Sequence, residues 1–144
     1  MEHPIDILLV EDNPDDAELT LRALRKTIST DRLMHLDDGA KAIDFLLGGT
    51  AEAAPTPKFV LLDLKLPKVD GLEVLRRIKS DRRTRTIPVI VLTSSKEDRD
   101  LAESYQLGVN SYIVKPVGFD QYISLIADVG RYWNELNTVR EPAL

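Results

Sequence analysis

Four short runs of the chain are apolar at every position: Ile7–Val10 (ILLV), Phe59–Leu62 (FVLL), Val89–Leu92 (VIVL) and Tyr112–Val114 (YIV). They are too short for helices, and a half-exposed strand would alternate apolar and polar residues. They therefore predict strands of a sheet covered on both faces. Leu33–Leu36 (LMHL) is a weaker fifth strand. Between the runs the period changes. Ala17, Leu21, Leu24 and Ile28 fall at helical spacing, as do Leu72, Leu75 and Ile78. Gly39–Leu47 and Glu97–Leu107 predict shorter helices, and Phe119–Leu136 the longest. Five strands alternating with five helices require a doubly wound α/β fold with a parallel sheet and right-handed crossovers. Residues 48–58, GGTAEAAPTPK, mix small residues with two prolines and predict an exposed connection. With no repeat in view, residues 1–144 are expected to form one domain, its core at about 5–136 and a short tail at 137–144.

A doubly wound sheet binds ligands beyond the carboxyl ends of its strands. This chain places Glu11 and Asp12 after the first strand and Asp63 after the third. Thr93, Ser94 and Ser95 follow the fourth, and Lys115 and Pro116 the fifth. Three crowded carboxylates raise one another's pKa unless a cation sits among them. Oxygen ligands with room for water suit Mg²⁺. Such an ion would neutralise a phosphoryl group moving to a carboxylate, Lys115 could pair with a phosphoryl oxygen, and the Thr93 hydroxyl could donate to another. The pattern suggests aspartyl phosphorylation.

Composition narrows the alternatives. The 144 residues hold no cysteine, which removes disulfides, zinc thiolates and thiol nucleophiles. A net charge of −5 argues against a sequence-independent hold on nucleic acid. MEHPID has no basic region leading into an apolar run, and no apolar run is long enough for a membrane, so a cytoplasmic protein is expected.

Local chemistry accounts for several other polar residues. In VEDNPDDAE, Asn13 suits a helix cap and Pro14 the first helical position. Asp15, Asp16 and Glu18 suit the first turns, leaving Glu11 and Asp12 for the site. Ser94-x-x-Glu97 reads as a capping box, with Ser94 or Ser95 as cap. Asp70 can cap the third helix and Gly71 allows a tight entry. Arg76, Arg77, Lys79, Arg82, Arg83 and Arg85 read as a solvated helix end at the negative pole of the macrodipole. His3 and His35 have no ligand-like spacing.

Taken together, Glu11-Asp12, Asp63 in LLDLKLP-x-x-DG, Thr93-Ser94 and Lys115-Pro116 resemble the receiver domain of two-component response regulators, over about residues 5–136. The resemblance implies a flavodoxin-like sheet of order 2-1-3-4-5. It implies Asp63 as phosphoacceptor for a histidine kinase, with Mg²⁺ on Glu11 (directly or through water), Asp12, Asp63 and the Lys65 carbonyl. Thr93 would turn its hydroxyl to the phosphate with Ser94 beside it, Tyr112 would follow inward, and Lys115 would bridge Asp63 to the phosphate. The Lys115–Pro116 bond is often cis in that family. Glu11 departs mildly from it, many members having a second Asp there.

No output unit is visible after residue 136, so the expected output is an interaction of the receiver surface itself. Tyr122, Leu125, Val129, Trp133 and Leu136 form one helical stripe, while Phe119, Ile123 and Ile126 form another. That is wider than one core-facing stripe requires. The first stripe is thus the expected dimer or partner face, with a homodimer formed through the fourth helix, fifth strand and fifth helix. The acidic start, the proline loop and the Trp-containing last helix resemble single-domain regulators of phytochrome-type kinases. A phosphorelay shuttle or chemotaxis-type regulator is an alternative. A small Mg²⁺-dependent phosphohydrolase fits less well, because Asp63 is followed by Leu64-Lys65 without a second acid. The protein is therefore expected to be a signalling phosphoacceptor rather than an enzyme.

Overall fold

The structure, a computed structural model, describes residues 4–50 and 55–140. Within these residues the chain forms β1 (Ile7–Val10), α1 (Pro14–Leu24), β2 (Leu33–Leu36), α2 (Gly39–Leu47), β3 (Phe59–Leu62), α3 (Gly71–Ser80), β4 (Val89–Thr93), α4 (Asp98–Gln106), β5 (Ser111–Val114) and α5 (Phe119–Gly130). The strands make one parallel sheet of order β2-β1-β3-β4-β5, the expected order. Of the predicted 48–58 connection, residues 51–54 lie outside the described residues, as does His3; Gly48, Gly49 and Thr50 are exposed, whereas Pro57 is buried.

Uniform apolarity in the central strands follows from burial on both faces. Leu8, Val10, Val60, Leu62, Val89 and Val91 pack with Ala42 and Leu46 of α2 and Val74, Leu75 and Ile78 of α3. Ile7, Leu9, Phe59, Leu61, Ile90 and Leu92 pack on the other face with Ala17, Ala23 and Leu24 of α1 and Tyr122, Ile126 and Val129 of α5. A fully buried aliphatic side chain contributes about 1.5–3 kcal/mol, so these two layers hold the sheet. By contrast, α4 buries only Ser104.

The last predicted helix changes geometry midway. α5 ends at Gly130, and a π-helical turn (Arg131–Leu136) continues it. The stripe expected to be spare is mostly not: Leu136 at its end is exposed, but the rest packs inward. Tyr122 and Val129 are buried in the core beside α1, with Leu125 and Trp133 packed against that core. The second stripe divides: Ile126 is fully buried, while Phe119 is exposed. The sequence shows two stripes because α5 faces both the sheet and α1, and so needs a wide apolar arc. Among the described residues the large apolar side chains open to solvent are Leu101, Tyr105, Val114, Val117, Phe119, Tyr132 and Leu136.

Most of the arginine run is solvated as expected, Arg82 and Arg85 included. Arg76 and Arg77 are exposed. Arg83, however, pairs with Asp81 and donates to the Leu47 and Gly49 carbonyls at 3.3 and 3.1 Å, so it serves the negative pole of α2 rather than that of α3. Lys79 donates to the Ile87 carbonyl and to Asn110 Oδ1, each at 2.8 Å, and burial lowers its pKa to about 8.

Candidate functional site

Strand register assembles the site. Val10 lies beside Leu62, so Glu11 and Asp63 leave neighbouring strands at the same level, and the Asp63 amide donates to the Val10 carbonyl at 3.0 Å. Thr93 lies beside Val114, and the Lys115 amide donates to the Thr93 carbonyl at 2.7 Å. Glu11, Asp12 and Asp63 each offer a carboxylate oxygen within 4.8 Å of the others. This oxygen-only set fits a hard divalent cation. The Lys65 amide donates to Asp63 Oδ1 at 3.3 Å, which fixes the start of the β3–α3 loop at the acid.

That loop is tightly drawn. The Val69 amide donates to the Pro67 carbonyl at 2.8 Å across Lys68, whose φ is +68°. This is a γ-turn with an uncommon left-handed non-glycine residue. Asp70 then caps α3 by accepting from the Glu73 amide at 3.1 Å. Gly71 sits so close to the acid that a Cβ there would lie 2.2 Å from the Asp63 carbonyl oxygen.

At the centre is the Lys115 ammonium. It donates to Glu11 Oε1 at 2.6 Å, Asp16 Oδ2 at 2.8 Å and Asp63 Oδ2 at 2.9 Å. Burial alone would lower its pKa, but the bonds to Asp16 and Glu11 and the charge of Asp63 outweigh burial and hold it above the usual lysine value. Glu11 is pushed up to about 7, chiefly by burial and further by Asp63, against the pull of Lys115. The His35 ring bonds the Glu11 carbonyl at 2.8 Å and steadies this strand end.

Thr93 is fully buried at the end of β4, and its hydroxyl accepts the Ser95 amide at 3.3 Å. Tyr112 is half-buried and donates its hydroxyl to the Ser95 carbonyl at 3.1 Å. Ser94 is exposed and lines a cleft with Asp16, Lys115 and Phe119. The predicted Ser94–Glu97 capping box does not form. Helix α4 starts at Asp98 with Glu97 as a cap whose side chain makes no capping bond, while Ser95 donates to Asp100 and accepts the Glu97 amide at 3.3 Å. Among the described residues no peptide bond is cis, so Lys115–Pro116 takes the trans form that X–Pro bonds prefer.

Asn13 caps α1 as expected, accepting from the Asp15 and Asp16 amides at 2.9 and 3.1 Å. The residue missed from sequence is Asp16. Its first-turn position already explains an acid, and its partner Lys115 lies 99 positions away. Side chains on a helix lean toward its N-terminus, which carries this carboxylate back over the site.

Comparison with known proteins agrees with this geometry. Residues 7–127 match the response regulator receiver domain. The chain is 44% identical over 142 residues to the probable methanogenesis regulatory protein FilR2 of Methanothrix harundinacea, covering 99% of this chain and 92% of that one. It is 40% identical to the response regulator Rcp1 of Synechocystis, over 97% of this chain and 95% of Rcp1. The Mn²⁺-bound structure of Rcp1 superposes with a TM-score of 0.85, covering 95% of this chain and 99% of that one. The phosphorylated cyanobacterial phytochrome response regulator RcpA superposes with a TM-score of 0.88 at 36% identity, covering 96% of this chain and 100% of that one. With its sheet order, its acidic cluster and its strand-end lysine all in place, the chain belongs to the response regulator receiver domain family.

Proposed function

We propose that Asp63 accepts a phosphoryl group from a histidine kinase with Mg²⁺ held by Glu11, Asp12, Asp63 and the Lys65 carbonyl, and that the change is read out at the protein surface. The observation that carries this reading is the Lys115 ammonium, 2.9 Å from an Asp63 oxygen beside three convergent carboxylates. In the transfer an Asp63 oxygen forms the new bond to phosphorus, the bond from phosphorus to the kinase histidine nitrogen breaks, and that nitrogen keeps the electron pair. Mg²⁺ would neutralise phosphoryl charge. Lys115 then finds a second negative group beside Asp63, and Thr93, at the end of the neighbouring strand β4, would turn its hydroxyl that way. The phosphoryl group stays on Asp63 until water removes it, which makes the protein a signalling acceptor rather than an enzyme with a turned-over substrate.

Likeness to Rcp1 and RcpA supports a phytochrome-type kinase as donor. A donor charged from ATP puts the reaction in the cytoplasm. No helix among the described residues is long and apolar enough to cross a membrane. For a homodimer the α4–β5–α5 face remains the best-supported surface, but with Leu101, Tyr105, Val114 and Phe119 in place of the buried Tyr122 and Val129.

One experiment tests the core of this. Wild type and Asp63→Asn are incubated with a small phosphodonor and Mg²⁺, then with a phosphorylated phytochrome-type kinase, while intact mass and oligomeric size are followed. A single phosphoryl adduct in the wild type alone is expected from both donors. Equal labelling of the variant ends the assignment of Asp63. Labelling by the small donor but not the kinase ends the phytochrome pairing. A monomer at tens of micromolar with and without phosphodonor ends the dimer.

A further inference from the structure

An ammonium group has three N–H donors. In this chain all three donors of Lys115 meet carboxylates: Glu11, Asp16 and Asp63. Nothing is left for a further acceptor. Any oxygen arriving at Asp63 gains a donor from Lys115 only by displacing one of the three. Glu11 and Asp63 are held in place, with side chains only 3% and 10% exposed and both within the cation cluster. Asp16 lies outside that cluster, and its side chain is 31% exposed on the first turn of α1.

The backbone behind Asp16 is fixed even though its carboxylate is open. The Thr20 hydroxyl donates to the Asp16 carbonyl at 2.8 Å. With that proton spent, the Tyr122 hydroxyl 2.8 Å away is the donor to Thr20. This buried pair ties the first turn of α1 to α5, so the Asp16 side chain can swing without moving the helix.

Resting on the phosphoacceptor reading above, we propose that Asp16 is a positioning residue that competes for Lys115. It holds the ammonium in the unphosphorylated chain and is the carboxylate displaced when a phosphoryl group, or an anion of the same shape, occupies Asp63. Its release would turn a negative charge outward at the N-terminus of α1.

The test uses the whole chain with Mg²⁺ and beryllium trifluoride as the phosphoryl-shaped probe. Wild type, Asp16→Asn, Asp16→Glu and Asp15→Asn are compared by titration, with thermal unfolding alongside. Asp15 is exposed in the same turn and carries the same charge, so Asp15→Asn reproduces the loss of helix-dipole and long-range charge effects without touching Lys115. Asp16→Asn removes a charge-assisted bond and is expected to tighten binding about 10-fold, with Asp15→Asn within about 2-fold of wild type. Asp16→Glu restores the competing charge and is expected to return affinity most of the way. Equal effects of Asp16→Asn and Asp15→Asn, or weaker binding by Asp16→Asn, would overturn the inference while leaving the phosphoacceptor reading intact. Failure of the wild type to bind the probe would overturn both.

Discussion

The Tyr112 hydroxyl donates to the Ser95 carbonyl at 3.1 Å, and the Ser95 amide donates in turn to the Thr93 hydroxyl at 3.3 Å. One loop residue thus joins the buried hydroxyl at the end of β4 to the half-buried aromatic of β5. Tyr112 cannot turn inward without releasing the β4–α4 loop, and Thr93 cannot reorient freely while it accepts from that loop. This gives the two expected switch residues a shared restraint. Tyr112→Phe removes the donor and leaves the carbonyl of the buried Ser95 without this partner, so the loss should be about 1–2 kcal/mol by urea unfolding without divalent cation. Amide hydrogen exchange should accelerate across residues 93–97 and change little in β1. Uniform acceleration throughout the sheet would show that the bond serves general stability only.

Glu11 sets a pH dependence. Its carboxyl titrates near 7 in the folded chain against an ordinary 4.5, mainly through burial. Between those values the folded state holds a proton that the unfolded chain has released. This contribution to stability is full below the lower value and is lost as pH rises through the upper one. Without divalent cation, the wild type should therefore lose stability relative to Glu11→Gln from about pH 5 to about pH 8. Cation binding needs the carboxylate, so Mg²⁺-induced stabilisation of the wild type should grow over the same interval. Urea titrations with and without Mg²⁺ measure both trends, and a flat difference between wild type and Glu11→Gln would show that Glu11 does not titrate there.

Lys115→Met leaves Glu11, Asp16 and Asp63 facing one another without a cation. The expected cost is about 2 kcal/mol, below the full penalty for a broken buried pair, because Glu11 can take a proton and Asp16 is partly open to water. The informative readout is rescue: Mg²⁺ should raise the melting temperature more in this variant than in the wild type, since it then supplies the only positive charge among the acids. An equal gain in both proteins would separate the cation site from the lysine.

Much of this arrangement is visible in the sequence, for identifiable reasons. ILLV, FVLL and VIVL are apolar at every position because both faces of β1, β3 and β4 are covered, and the acids after the first two and the hydroxyls after the third fall on the ligand edge by topology. Asn13 and Asp70 are legible because capping is local. What is hidden depends on distant partners. Asp16 looks complete as a helix-start acid until the fold brings Lys115 to it. Arg83 looks like a solvated cation until the end of α2 arrives with free carbonyls. The α5 stripe looks surplus because a sequence does not show that α1 covers its second side. The Ser94 capping box fails through competition: Ser95, one residue on, engages Asp100 and the Glu97 amide first.

Gly71 links packing to chemistry most directly. A Cβ there would lie 2.2 Å from the Asp63 carbonyl oxygen and 2.4 Å from Leu64 Cα, both backbone atoms that no side-chain rotation can clear. The Gly71 amide also donates to the Leu64 carbonyl at 2.8 Å, so the start of α3 and the end of β3 are pinned together. Gly71→Ala must push these segments apart and carry Asp63 with them. Overpacking should cost about 1–3 kcal/mol in urea unfolding, against the small gain that alanine brings to a helix. The same displacement should separate Asp63 from Lys115 and the acidic pair, so labelling by a small phosphodonor should slow about 10-fold or more even at temperatures where the variant is fully folded. A variant that loses stability yet labels at the wild-type rate would show that β3 absorbs the strain before it reaches the acid.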